Sequence, residues 1–149
     1  MADDFTLTVS RSDSDIVEAR RIRREVFVEE QGIPAHLDPD GRDEKAFHVL
    51  CRSGQETVST GRLVVVDDTN GVLARIAVRA SYRGCGLGRR IVQMLESTAL
   101  EQGLKALSLQ PHKHLESFYQ SLGYQTTAGT EFVGEHELIT MQKAIGTSP

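Results

Sequence analysis

Residues 82–90 read YRGCGLGRR. Gly84, Gly86 and Gly88 alternate, and Arg83, Arg89 and Arg90 flank them. Upstream, Val72–Val78 has the look of a strand; downstream, Ile91, Leu95 and Ala99 recur at helical spacing, with Leu87, Val92 and Met94 beside them. The stretch therefore marks a strand handing over to a helix. Main-chain N–H groups at a helix start lack partners within the helix and carry partial positive charge. An anion placed there accepts several of them at once. Glycine lets the backbone approach closely and takes positive φ without a Cβ clash, and the arginines add counter-charge suited to a pyrophosphate. The pattern predicts a site for a diphosphate-containing cofactor. A glycine-rich turn that merely starts a helix is the plainer alternative.

Two familiar nucleotide loops fit poorly. A P-loop needs G-x-x-x-x-G-K-[ST], which the chain lacks. A dinucleotide fingerprint needs a third glycine where Arg89 stands, and it belongs on the first strand-to-helix turn.

Composition narrows the function classes. The 149 residues suit one domain with its own core, so 1–149 are expected to fold as a single domain with a flexible tail at 145–149. A net charge of −4 argues against a nucleic-acid partner, which would need a broad basic surface. No apolar run reaches the length of a membrane span, and MADDFTLTVS lacks the pattern of a secretory signal. Cys51 and Cys85 suggest no disulfide framework, which points to a reducing cytoplasm.

Along the chain, Thr6–Ser10 alternates as a strand. Ser12 with Asp15 resembles a capping box, and Ile16, Ala19, Ile22 and Val26 then follow a helical spacing. Arg20, Arg21, Arg23 and Arg24 are expected on the solvated face of that helix. AHLDPDGRDEKA reads as a loop with a short helical piece. Ala46–Arg52, Glu56–Val66 and Val72–Val78, broken at SGQ and DDTNG, predict an antiparallel meander. After the glycine-rich helix come a short strand at Leu104–Leu109, a shorter helix at Leu115–Leu122 and one or two strands, clearest at Glu137–Ala144. The order β-α-(α)-β-β-β-α-β-α-β-β predicts an α/β domain with a mixed sheet.

These residues carry a resemblance. RGCGLG matches the [Q/R]-x-x-G-x-[G/A] signature of the GNAT superfamily of acyl-CoA N-acyltransferases, with Arg83, Gly86 and Gly88 on its fixed positions. Further on, LSLQPHKHLESFYQSLGY resembles that family's second marker, with Phe118, Tyr119, Gly123 and Tyr124 matching. REVFVEEQGIP, AFHVL and TGRLVV are similar to small bacterial members, so the likeness covers nearly the whole chain. It implies the GNAT fold, a mixed, mostly antiparallel sheet flanked by helices. It also implies acetyl-CoA as cosubstrate, with no metal. The strand Ile76, Ala77 and Val78 would hold the pantetheine arm through its main chain. The loop Arg83, Gly84, Cys85, Gly86, Leu87, Gly88 and Arg89 would hold the pyrophosphate, and His112 and Phe118 would line the cofactor groove. The chain departs from the family at His112, where Asn is common, and at Leu115, where a small residue is usual.

Acetyl transfer to an amine needs a neutral nucleophile. An amine of pKa about 10.4 is uncharged in about one molecule in 2,500 at pH 7. A general base helps, and a donor is needed as the thioester oxygen gains charge; the resemblance places that donor in the main chain near Val78. Tyr119 is the expected proton donor to the leaving thiolate. Glu30, ahead of its neighbour Glu29, is the expected base, with Asp43 and His48 as weaker options and His48 equally suited to the core. His112-x-His114 lacks a third ligand nearby and predicts no metal site. Cys85 is expected to be inert.

The predicted function is an N-acetyltransferase acting on a primary amine of a small molecule or peptide, with a non-catalytic acyl-CoA-binding domain as the alternative. Acceptor choice is expected in the loops 29–45 and 124–136. Neither nucleic acid nor membrane is an expected partner, and an exposed sheet edge suits a homodimer.

Overall fold

The computed structural model describes residues 4–146. Strand β1 (Phe5–Ser10) leads into helix α1 (Asp13–Arg23), whose start is capped by Ser12, its Oγ accepting the Asp15 N–H at 3.3 Å. Asp13 and Asp15 in the first turn and Arg20, Arg21 and Arg23 in the last complement the helix dipole. The helix does not stop there. It widens into a π-helical segment over Arg24–Glu30, closed by Gly32 at φ +73°. Two short 3₁₀ turns, Ala35–Leu37 and Asp43–Lys45, shape the following loop.

The predicted meander forms from β2 (Phe47–Ser53), β3 (Glu56–Val65) and β4 (Asn70–Val78), each pair antiparallel. Helix α2 (Leu87–Glu101) crosses to β5 (Ala106–Leu109), which pairs parallel with β4. Helix α3 (Glu116–Ser121) then leads to the hairpin β6 (Gln125–Val133) and β7 (His136–Ala144). The sheet runs β1-β2-β3-β4-β5-β7-β6. No helix among the described residues is long and apolar enough to cross a membrane. Of the tail 145–149, residues 147–149 lie outside the described residues.

Each sheet face has its own helix. Ile91, Leu95 and Ala99 of α2 are fully buried with Leu63, Leu73 and Leu107 of the sheet. Gly61 permits this closeness, since a Cβ there would lie 2.6 Å from Ile91 Cγ2. Ile22 and Val26 pack with Ala77 in a second cluster, while the adjacent Ile76 packs with the first. Successive strand residues face opposite sides, so α1 and α2 lie on opposite faces.

The expected solvated arginine face is corrected at Arg23, while Arg20 stays exposed and reaches the same carboxylate, that of Asp43. Arg23 is only 1% exposed, and its guanidinium donates to Asp43 at 2.9 and 3.0 Å and to Asp38 at 2.6 Å. Arg20 donates to Asp43 at 2.8 Å and to Glu44 at 2.9 Å. Arg62, on β3 and also buried, donates to Asp43 at 2.8 Å and to Asp40 at 3.0 Å. Burial alone would raise the Asp43 pKa, but hydrogen bonds from Arg23, Arg20 and Arg62 outweigh it and hold the carboxyl far below the usual carboxylate range. A buried aspartate serving three arginines is a fastener for loop 34–45, which removes Asp43 as a base. His48, the other weaker option, is buried with Nε2 2.9 Å from the Asp43 carbonyl, a core histidine.

Because the folded Asp43 pKa lies below its unfolded value near 3.9, its stabilisation is complete above about pH 4 and is lost as pH falls beneath that. Asp43→Asn should cost about 3–5 kcal/mol at pH 7 in urea unfolding, because it strands buried guanidinium groups. A loss under about 1 kcal/mol would mean that the network is not what holds the loop.

Candidate active site

The gap is built by a parting of strands. β4 and β5 pair only over Asn70–Val72 and Ala106–Ser108. Beyond Val72, β4 continues to Val78 while β5 ends at Leu109. Pro111 follows and has no N–H to extend a ladder, and its carbonyl accepts from Ile139 N–H of β7 at 3.0 Å. The chain after β5 is therefore drawn away from β4.

β4 carries a bulge beside this gap. Ala74 pairs with Arg62 and Ala77 with Thr60, so Arg75 and Ile76 together oppose Gly61. Arg75 sits at φ +56°, a left-handed conformation that costs a side-chain-bearing residue about 1–2 kcal/mol. Its Nη2 donates to the Asp38 carbonyl at 2.9 Å, which fixes the strained residue to the loop. Past the bulge, the Ala77 carbonyl faces β3, accepting from Ser59 Oγ at 2.8 Å, and Arg79 N–H bonds to Val58 on the same side. Strand alternation then turns the backbone groups of Ile76 and Val78 towards the gap. Of the three residues expected along a pantetheine arm, two face it and Ala77 belongs to the sheet.

At one end of the gap lies the glycine loop. Gly84 and Gly86 take φ of +83° and +78°, and a Cβ on either would meet nothing within 4 Å, so backbone conformation and not crowding calls for glycine there. Alternating turns of this kind suit an anion nest. Helix α2 begins at Leu87, a buried anchor, and its first ladder bond runs from Arg90 N–H to the Gly86 carbonyl. The amides of Leu87, Gly88 and Arg89 thus precede the ladder. Gly88 lies under Phe118, whose Cζ would be 3.6 Å from a Cβ there. Cys85 is exposed and free. These features fit a diphosphate.

Arg83 is employed differently from the expectation. Its N–H bonds to the Ala80 carbonyl at 3.3 Å. Its guanidinium donates twice to the Val78 carbonyl, at 3.0 and 2.9 Å, and to both carboxylate oxygens of Glu30, one at 2.7 Å. The hydrogen bonds from Arg83 lower the Glu30 pKa. Glu30, at the end of the π-helical segment, and Arg83 together tie that segment to the last residue of β4. Glu29 is solvent-exposed, 3.8 Å from Arg24.

At the other end is a cavity of about 420 Å³ between the π-helical segment, β4, the β5–α3 connection and the β6–β7 hairpin. Tyr119 and His112 line it; Glu30 does not. Tyr119 is 4% exposed, with Phe118 edge-on at 4.9 Å, and burial pushes its phenol up to about 12. His112 stacks on His136 at 5.0 Å and neighbours His114 at 5.4 Å. Burial first, then the two neighbouring histidines, lower its pKa, so the imidazole is neutral at pH 7. Among the described residues, no three or more His, Cys, Asp or Glu side chains converge to hold a metal.

The cavity also presents Gln31, Asp38 and Arg75, which the sequence reading did not single out. Gln31 and Asp38 lie in the loop expected to choose the acceptor. Arg75 sits beside the expected pantetheine strand, but its left-handed backbone has no signature in a chain where glycine usually marks such a turn.

Comparison with known proteins agrees with this geometry. The sequence pattern described as the acetyltransferase (GNAT) family matches residues 15–124. The chain is 39% identical over 137 residues to BSU40680 of Bacillus subtilis (strain 168), a relative named as an acetyltransferase but not characterised, covering 88% of this chain and 92% of the relative. The fold matches Escherichia coli ElaA with a TM-score of 0.84 at 26% identity, covering 93% of this chain and 99% of that one. An aminoglycoside 6'-N-acetyltransferase crystallised with coenzyme A shares the fold at a TM-score of 0.73 and 18% identity, over 95% of this chain and 99% of that one. With its family match running from α1 through the turn after α3, and the glycine loop and parted strands inside that span, the chain belongs to the GNAT family of acetyltransferases, which are generally acyl-CoA-dependent.

Proposed function

We propose that this chain transfers an acetyl group from acetyl-CoA to a primary amine by direct attack in a ternary complex. The observation that carries the reading is the parting of β4 from β5, with the glycine loop after β4 and the cavity beside it. Unpaired helix amides follow the loop, the backbone of Ile76 and Val78 lies along the parted strand, and Tyr119 and His112 line the cavity. Bound acetyl-CoA would supply a thioester acyl group and a thiolate leaving group.

The amides of Gly84, Cys85, Gly86, Leu87, Gly88 and Arg89 would hold the diphosphate, with the Arg89 side chain adding charge. Arg83 acts at one remove, fixing the end of β4 through Val78 and Glu30. The Val78 N–H, on the gap side of β4, suits the developing oxyanion. Tyr119 keeps its proton at neutral pH. Full transfer from a phenol near 12 to a thiolate near 8.5 would cost about 5 kcal/mol, so Tyr119 stabilises the departing sulfur by donating a hydrogen bond. A carboxylate held by Arg83 is a weak base, and we give the base role to the neutral imidazole of His112, leaving Glu30 the task of holding Arg83. The ammonium form of the acceptor loses two protons: one passes through His112 to solvent, and the other ends on the coenzyme sulfur.

Tyr119→Phe should lower kcat about 100-fold and move coenzyme A affinity, measured by calorimetry, by less than about 3-fold. Unchanged turnover would remove Tyr119 from the chemistry, and no coenzyme A binding by the unaltered protein would overturn the function. The base assignment has a separate signature. Amine deprotonation gives log(kcat/KM) a slope of about one against pH. Below the His112 pKa, itself under about 6.5, the slope should steepen to about two, and His112→Ala should abolish the steepening. A profile that is the same in both proteins sinks the assignment.

A further inference from the structure

The charge balance of the cavity speaks to the acceptor, and the inference rests on the acetyl-transfer reading above. Asp38 is the one carboxylate among the cavity-lining residues, and it is already engaged. Arg23 donates to it at 3.2, 3.2 and 2.6 Å, and Arg75 Nε lies 3.2 Å from its Oδ1. Arg75 itself lines the cavity as a cation. The other polar lining groups are the amides of Gln31 and Gln110, the imidazoles of His112 and His136 and the protonated phenol of Tyr119, none of which carries negative charge. The rest of the wall is apolar, contributed by the π-helical segment, β4, β5 and the β6–β7 hairpin.

A polycation would bring several ammonium groups into this space and find no free carboxylate among the lining residues, since Asp38 is already paired with Arg23 and Arg75. Each additional buried, unpaired charge is strongly disfavoured. A single amine on an apolar body meets the opposite situation. Its hydrocarbon portion matches the wall, and Gln31, a lining residue, has an amide oxygen buried without a hydrogen-bond partner among the described residues, which a turn of the side chain would bring to the amine N–H. At about 420 Å³, the space is at the small end of ligand pockets and must also admit the acyl end of the coenzyme. We infer that the acceptor is a small primary monoamine with an apolar body, and that polyamines and aminoglycosides are excluded by charge.

The test follows thiol release with 2-phenylethylamine and hexylamine against spermidine, kanamycin and an alanyl dipeptide, at equal ionic strength and with coenzyme A binding measured in parallel. The apolar monoamines should exceed the polycations in kcat/KM by about 100-fold or more. Val133→Asp, which adds an unpaired carboxylate to the hairpin wall, should narrow that ratio about 10-fold without altering coenzyme A affinity. Gln31→Met should raise the monoamine KM several-fold with the coenzyme affinity again unchanged. Equal or better turnover of spermidine, kanamycin or the dipeptide overturns the acceptor class and leaves acetyl transfer standing. Coenzyme A binding with no amine acetylated, or no binding at all, overturns the acetyl-transfer reading itself.

Discussion

Everything in this molecule that bears on its chemistry depends on β4 and β5 ceasing to pair after Val72. A sheet normally closes such a gap, because buried backbone donors and acceptors left alone are costly. Here two local features keep it open. Pro111 supplies no N–H at the point where β5 would continue, and β7 claims the Pro111 carbonyl through Ile139. On the other side, the bulge at Arg75 re-aims β4. An open strand edge of this kind suits a ligand that itself carries amides, as the pantetheine arm of the proposed cosubstrate does. The parallel β4–β5 pair needs a crossover, and the crossover is α2. The same helix that joins the parted strands therefore brings its free N-terminal amides to the mouth of the gap.

The second constraint is electrostatic. Arg23, Arg62 and Arg75 meet Asp38, Asp40 and Asp43 beneath loop 34–45. Taking each of these ions out of water costs several kcal/mol, so the network is a poor source of stability unless every partner is present. Its value is geometric. Arginine forks fix the direction as well as the distance of a carboxylate, and three aspartates within six residues of loop leave that loop few ways to lie. The loop forms one wall of the cavity, so the network sets the shape of the acceptor space. Neutralising Asp38 also fixes its polarity.

Much of this was legible in the chain. The changes between period two and period 3.6 locate the meander, α2 and the short α3, because one face of each element is buried and the other is not. The glycine loop was legible for a different reason: positive φ and open approach leave a compositional mark. Arg23 shows where pattern reading stops. Its position on α1 is set by helical geometry, but its burial depends on Asp38 and Asp43 arriving from a distant loop. Arg83 is similar, for its partner Glu30 lies 53 residues away. The π-helical continuation through Glu30 rests on one extra residue per turn, which hydropathy hardly registers. Strand β6, exposed along nearly all its length, carried almost no alternation to read.

Burial also accounts for how the proposed hydrogen-bond donor and the proposed base can share one cavity in their working forms. Removing a group from water disfavours its charged state, whichever sign that charge has. For the Tyr119 phenol this raises the pKa to about 12 and keeps the donor protonated. For the His112 imidazole it lowers the pKa and keeps the acceptor free, with His136 and His114 adding to the effect. One desolvated wall therefore prepares both groups at neutral pH, with no ion pair between them. A carboxylate could not share this arrangement so simply. Burial would raise its pKa and fill it with a proton, whereas an arginine partner, as at Glu30, lowers the pKa and ties up both oxygens. For an imidazole, whose ordinary pKa already lies just below neutrality, even modest desolvation leaves a vacant lone pair at neutral pH.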